Sequence, residues 1–330
     1  MIYRIRLFAL LSCIAISFIG SVGYSQEAFF WIHPLSDKIN NGNLQTIFQD
    51  HQGFIWLGTT TGIYRFDGIN YTPIPADDSL QNASFSAIFQ AGDGTIWAGT
   101  RSGHIARINK GKLELFVPEE GNPKSPTTAI AQDSHGNIWF STYGEGVYCY
   151  SNNRLYNFNS DDGLSDNFTY TLSADKIGNI WVGTDGGISI CSFIKGKKTI
   201  KLITSANGLP DNIVLKIDKV GSENMWIGMQ DGGICKIDIN SHLIDVTLPL
   251  RKWTYGPVND LTVLGNQLWI GTDDHGIISV DLKSTAQVLT YPKLEGINYL
   301  KIIKLIGDRE GNVWFMTNNV LIQSPGAKLE

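Results

Sequence analysis

Short apolar stretches with every-other-residue alternation run down the chain, each bounded by Gly, Asp or Asn. One set, "FTYTLSAD", "GNIWVGT", "GGISICSF" and "TIKLIT", reads as four strands joined by tight turns. The set recurs. Seven Trp hold one place in it: Trp56, Trp97, Trp139, Trp181, Trp226, Trp269 and Trp314, at spacings of 41, 42, 42, 45, 43 and 45 residues. Only Trp31 and Trp253 stand outside the series. A Gly turn precedes each: "DHQG", "AGDG", "DSHG", "DKIG", "DKVGSEN", "VLGN", "DREG". A Gly-Thr element or a near variant follows, as in "LGTTTGIYRFD" and "VGTDGGISICS". The fifth unit has two extra residues in its turn, the sixth lacks the Asp and the seventh lacks the second Gly.

Four strands at a period of about 43 residues are the signature of a β-propeller. A solenoid of β-arches is the competitor, and its repeats are usually shorter. The fold expected is all-β: a seven-bladed β-propeller of four-stranded blades. The seventh unit supplies three strands and then reaches "SPGAKLE". Near the other end, "FFWIHPLSDKINNGNLQTIFQD" matches the end of one unit and the start of the next. Phe29 to Pro34 is therefore expected to be the outer strand of the last blade, closing the ring and covering an edge. The propeller is assigned to residues 27–325 and a C-terminal tail to 326–330.

The D-x-x-G turn has a mechanism: Asp bonds its own turn backbone, and Gly takes the positive φ of a tight hairpin. The seven repeated Trp are read as structural, packed between blades, because each buries a large surface at a regular place inside a strand. Antiparallel strands put the D-x-x-G turns on one face, and the Gly-Thr loops with the blade-to-blade connections on the other. On that second face the residue after the Gly-Thr position varies: Thr60, Arg101, Tyr143, Asp185, Gln230, Asp273, Asn318. A constant frame holding a varied polar ring is what a binding surface looks like. Free loop tips would vary as well. The connections add Asn167, Tyr170, Asn212, Trp253, Tyr255, Asn259, Asn298 and Tyr299. Trp253 and Tyr255 stand out because they break the repeat, which suits stacking on a sugar face or on another protein.

Composition narrows the classes. Hydrophobic residues are 42% and aromatic residues 11%, so a folded core is expected rather than disorder. Arg4 and Arg6 precede a 16-residue apolar run, Leu7 to Val22, and small residues then lead to Ser25. This is a signal-peptide pattern over residues 1–25, too short for a membrane span of about 20 residues. Export to the periplasm is expected, with no transmembrane segment after cleavage. Without residues 1–25, Lys+Arg falls from 26 to 24 against 31 Asp+Glu, a net charge of −7. With no strong basic patch in the sequence, nucleic acid is not expected as a partner. Cys149, Cys191 and Cys235 remain, far apart and within strands, and are read as buried small hydrophobes.

No G-x-S-x-G, HExxH, P-loop or GxGxxG appears. His51 and His135 lie in the D-x-x-G turns. His104 and His275 lie near the variable ring, and "TDDHG" (Asp273, Asp274, His275) is the best local case for a general base. Asp185, Asp231, Asp273 and Asp274 offer oxygen ligands, but no Ca²⁺-loop spacing is present. No metal and no cofactor are expected. The ligand-binding candidates are Arg101, Tyr143, Asp185, Gln230, Asp273, His275, Asn318, Trp253 and Tyr255.

The units "GNLQTIFQDHQGFIWLGTTTGIYRFDG" and "DNFTYTLSADKIGNIWVGTDGGISIC" resemble the two-component regulator propeller repeat. The resemblance runs over nearly the whole chain after residue 25. It implies a seven-bladed propeller of the kind found in exported sensor regions of hybrid two-component histidine kinases, which commonly respond to carbohydrates. An oligosaccharide ligand, and a sensor kinase or a second propeller, are the partners it implies. Such regions usually continue into a Tyr-rich β-sandwich, a membrane span and a kinase. None is present in this sequence, so a non-catalytic propeller lacking its own kinase output is expected. The rival readings are a propeller lyase or hydrolase acting on a polysaccharide or cyclic peptide, and a protein-interaction scaffold. The resemblance carries no binding residues onto this chain.

Overall fold

A computed structural model describes residues 29–35, 39, 43–246, 254–283, 288–297 and 300–325. It contains seven four-stranded antiparallel sheets. Blades 1 to 6 are continuous in sequence. Blade 7 is built from Lys304–Gly307, Asn312–Met316 and Leu321–Pro325, with Trp31–His33 as its outer strand. Trp31 pairs with Gln323 and His33 with Leu321, and His33 Nε2 and Gln323 Oε1 lie 2.9 Å apart. The last blade is thus closed from both ends of the chain, as expected from the repeat.

The first strand of each blade is the innermost: Leu44–Gln49, Phe85–Gln90, Thr127–Gln132, Thr169–Ala174, Val214–Val220, Val258–Leu264 and Lys304–Gly307. These strands touch their neighbours in turn, and the seventh touches the first. The second strand carries the Trp. In blades 1 to 4 all five of its residues are buried, because both of its faces are covered by neighbouring blades.

Each Trp packs into the next blade. Trp181 lies among Val214, Ile217, Met225 and Ile227 of blade 5. Trp314 lies among Leu44, Ile47, Ile55 and Leu57 of blade 1, which completes the ring. All seven are at most 5% exposed. Four indoles are also anchored by hydrogen bonds. Nε1 of Trp56, Trp139, Trp181 and Trp314 donates to the Asp six residues earlier, at 2.7, 2.8, 3.2 and 2.7 Å. The other oxygen of that Asp holds the turn: Asp50 Oδ1 accepts from the Gln52 and Phe54 amides at 2.9 and 3.0 Å. Gly53 sits at φ +94° in this turn, where a side chain would be strained. In blade 6 a two-residue turn replaces the Asp turn, and Trp269 Nε1 is buried with no partner.

The Gly of Gly-Thr has a packing cause. A Cβ on Gly58 would lie 2.6 Å from the Phe85 carbonyl oxygen of the next blade. The blades therefore approach backbone to backbone at this level. Gln side chains stitch the turn face: Gln90 Nε2 donates to the Gly94 carbonyl of its own turn, and its Oε1 accepts from the His51 amide of blade 1. Gln49 and Gln132 do the same at their seams.

Replacing Trp181 with Ala should lower unfolding free energy by about 3–5 kcal/mol, measured by denaturant titration. Asp175→Ala leaves a buried indole N–H and two turn amides unpaired, so a loss of about 2 kcal/mol is expected in the same assay.

Candidate functional site

Six inner strands carry a register shift one residue from their start, between Leu44 and Thr46, Phe85 and Ala87, Thr127 and Ala129, Thr169 and Thr171, Val214 and Lys216, and Val258 and Asp260. The bulged residue escapes the two-residue alternation and is re-aimed. These residues are Gln45, Ser86, Thr128, Tyr170, Leu215 and Asn259, with Ile303 at the corresponding place in blade 7. They form a second varied ring, inside the ring that follows Gly-Thr. Three of them also tie blades together. Ser86 Oγ, Thr128 Oγ1 and Asn259 Nδ2 donate to the next blade's Thr127, Thr169 and Ile302 carbonyls at 2.6, 2.8 and 2.8 Å.

On the blade 4 to 7 side the two rings enclose an open axial recess of about 270 Å³, lined by Tyr170, Leu215, Asn259, Asp273, Lys301, Ile303 and Lys304. Tyr170 OH donates to Asp185 Oδ1 at 2.7 Å. Asn259 Nδ2 donates to Asp273 Oδ1 at 2.5 Å, and Lys301 Nζ lies 2.7 Å from Asp273 Oδ2. Burial pushes the Asp273 carboxyl up, but the bonds from Lys301 and Asn259 and the Lys301 charge outweigh it and hold the group below its ordinary value. Burial, then the bond to the Asp185 carboxylate, pushes the Tyr170 phenol up, so it stays a donor. Beside Tyr170, the Tyr143 ring lies 5.8 Å from it and 4.9 Å from Phe168, and Tyr143 and Phe168 are 46% and 42% exposed. The recess thus has an aromatic shelf at its rim.

Below the rim lies a chain of charge across blades 5 to 7. Lys216 Nζ is 2.7 Å from Asp260 Oδ1, and Asp260 is 1% exposed. The other Asp260 oxygen accepts from the Leu305 amide of blade 7 at 3.1 Å. Thr262 Oγ1 donates to Asp218 Oδ2 at 3.0 Å. In blades 1 to 4 the places of Lys216, Asp260 and Lys304 hold Thr46, Ala87, Ala129 and Thr171.

Of the residues expected from sequence, Tyr170, Asn259 and Asp273 line the recess, and Tyr143 and Asp185 lie beside it in contact with Tyr170. Arg101, Gln230 and Asn318 keep the ring position in their own blades and do not line the recess. His275 and Tyr255 form a separate pair with rings 5.2 Å apart, and Tyr255 packs against the seam of blades 5 and 6. His275 Nδ1 is buried with no partner. Among the described residues no hydrogen bond or ring contact joins His104, Tyr143 and His275. Asn167 and Asn212 are scaffold: each accepts from a Ser amide, Ser160 at 2.9 Å and Ser205 at 2.8 Å, and so fixes a short turn. Trp253, Asn298 and Tyr299 lie outside the described residues. Of the bulged residues only Tyr170 and Asn259 are expected from the sequence; Leu215, Ile303 and the lysines Lys216, Lys301 and Lys304 are not.

The charge chain has a testable cost. Asp260→Asn strands a buried ammonium and should destabilise by about 3–5 kcal/mol, while Asp260→Leu with Lys216→Met should recover most of it. The Asp273 carboxyl is depressed, so its contribution is complete above its ordinary value near 3.8 and fades as pH falls through the folded value. Lys301→Met should move the Asp273 titration upward, read by carboxyl-carbon NMR.

Four of the seven units, residues 38–61, 79–102, 121–144 and 163–186, match the family model described as two component regulator propeller. The comparison with curated proteins found no match. Among solved structures, the chain is similar to the extracellular domain of a hybrid two component system from B. thetaiotaomicron, with 19% identity and TM-score 0.72 over 90% of this chain and 42% of that one. It is also similar to the extracellular domain of a one component system from the same organism, with 21% identity and TM-score 0.72 over 89% and 39%. A virginiamycin B lyase from Staphylococcus aureus shares the fold at 17% identity and TM-score 0.67 over 91% and 99%. The chain spans about two fifths of the two extracellular domains it matches.

Proposed function

We propose, for a chain built of two component regulator propeller repeats, a non-catalytic ligand-binding role outside the cytoplasm. The module works as, or within, the input side of a two-component sensor, and its ligand is a glycan held at the axial recess. The observation that carries this reading is the recess itself: Tyr170 and Asn259 of the inner ring and Asp273 of the outer ring line it together with Lys301 and Lys304, with the Tyr143 and Phe168 shelf beside them. Such a set suits a sugar. Aromatic faces cover its apolar C–H surface, and fixed carboxylate, amide and ammonium groups bond its hydroxyls. At about 270 Å³ the recess is just under the usual small-molecule range of about 300–1,000 Å³, so it takes one sugar unit while the rest lies along the rim.

The binding reading is preferred to the lyase reading because the carboxylates at the recess are already engaged. Asp273 is held by Lys301 and Asn259, and Asp185 by Tyr170. A general base needs a free lone pair aimed at the substrate. His275 has such a nitrogen, but it sits beside Tyr255 and does not line the recess.

The purified protein should be screened against oligosaccharides by thermal shift, with product analysis of every hit. A saturable rise in melting temperature, abolished by Tyr170→Ala and without turnover, is expected. Unsaturated sugar products would instead establish a lyase, and a flat response to all glycans would leave a protein partner as the better account.

A further inference from the structure

We infer that the sugar unit bound in the axial recess is acidic, its carboxylate or sulfate group seated against the Lys304 ammonium. This rests on the reading of the recess as a glycan site and narrows the class of ligand. The starting point is a break in the repeat. Lys304 pairs with Met316 at the level where Thr46 pairs with Gly58, so a long cation stands where blades 1 to 4 carry Thr or Ala.

The neighbouring charges do not satisfy it. Asp260 attracts the Lys304 charge, but its direct contacts go to other groups. Oδ1 accepts from Lys216 Nζ at 2.7 Å and from the Leu261 amide at 2.9 Å, and Oδ2 accepts from the Leu305 amide at 3.1 Å. Asp218 is occupied by Thr262. At the rim Asp273 is matched by Lys301, so its charge is neutralised locally. The Lys304 ammonium makes no hydrogen bond or ion pair among the described residues, and the side chain lines the recess. The two inner lysines are therefore unequal. Burial depresses Lys216 but the charges of Asp260 and Asp218 overcome it, and its ammonium is held above its ordinary value. Burial depresses Lys304 too; Asp260 offsets only part of this, and the Lys216 charge opposes protonation further.

A half-buried cation without a direct partner is poorly solvated, and an incoming anion supplies what is missing. An anionic group in the recess would give the Lys304 ammonium the direct ion pair that it lacks. The apolar walls Leu215 and Ile303 would exclude water around the pair and strengthen it. A neutral sugar would leave the ammonium as it is.

The test uses glucuronate, galactose 6-sulfate, methyl glucuronate ester, glucose and galactose as probes, read by calorimetry and thermal shift on the purified protein. The acids should bind roughly tenfold or more tightly than the ester and the neutral sugars, as for a hydrogen bond to a charged group. The carboxylate and sulfate arms show which anion is preferred. Lys304→Met and Lys304→Gln should erase the preference, and Lys304→Arg should keep it. Both neutral variants remove an unpaired charge, so an unchanged or raised melting temperature is expected without ligand. Equal binding of acid and ester, acid binding undiminished in Lys304→Met, or binding by neutral glycans alone would overturn this inference and leave the glycan reading standing. No response to any sugar, charged or neutral, would sink both.

Discussion

Everything in this molecule depends on the burial of one indole per blade against the next blade. A four-stranded sheet buries little alone, since both its faces must be covered by neighbours. The Trp supplies the large apolar surface for that contact. Where Asp50, Asp133, Asp175 and Asp308 are present, one carboxylate both shapes the hairpin and accepts the indole N–H. Local turn and long-range packing are thereby fixed by the same side chain. The ring closes because Trp314 docks on blade 1 just as Trp181 docks on blade 5. The short strand Trp31–His33 then removes the last open edge.

This arrangement separates scaffold from site. On the turn face, Gln49, Gln90 and Gln132 spend their amides on stitching neighbouring turns. The recess between blades 7 and 1 on that face is lined by the same scaffold, including Gln49, Asp308 and Trp314. On the loop face, the bulges release one residue per inner strand from packing. Blades 1 to 3 use that freedom for Gln45 and the hydroxyl ties Ser86 and Thr128, whereas blades 4 to 7 place Tyr170, Leu215, Asn259 and Ile303 around the recess. The propeller is thus regular in backbone and asymmetric in chemistry.

The asymmetry continues inward. Lys216, Asp260 and Lys304 occupy places where a small residue suffices for folding elsewhere in the ring. Charged groups in an interior raise its cost unless they are paired. Two of these are paired, and the third opens onto the recess. In the first four blades Thr or Ala fills the same place, whereas Asp260 here ties Lys216 of blade 5 to the Leu305 amide of blade 7.

Much of the fold was legible in the residues. The spacing of seven Trp, the Gly turns and the match between the two chain ends determined blade number, strand order and closure, because each follows from local periodicity repeated along the chain. The varied ring after Gly-Thr was legible too, and Tyr143, Asp185 and Asp273 within it lie at or beside the recess. Sequence could not say which members of that ring meet, because convergence depends on where seven strands point about one axis. Nor could it mark Lys304, Lys216 and Asp260 as neighbours: they lie 44 residues apart in sequence, one per blade. The alternating pattern also hid the bulges, since one inserted residue changes a side chain's direction without changing the strand's composition. The sequence by itself determined the architecture, and the tertiary structure decided which residues share the recess and which cation was left without a partner, because charge balance is a property of residues in contact and not of their order.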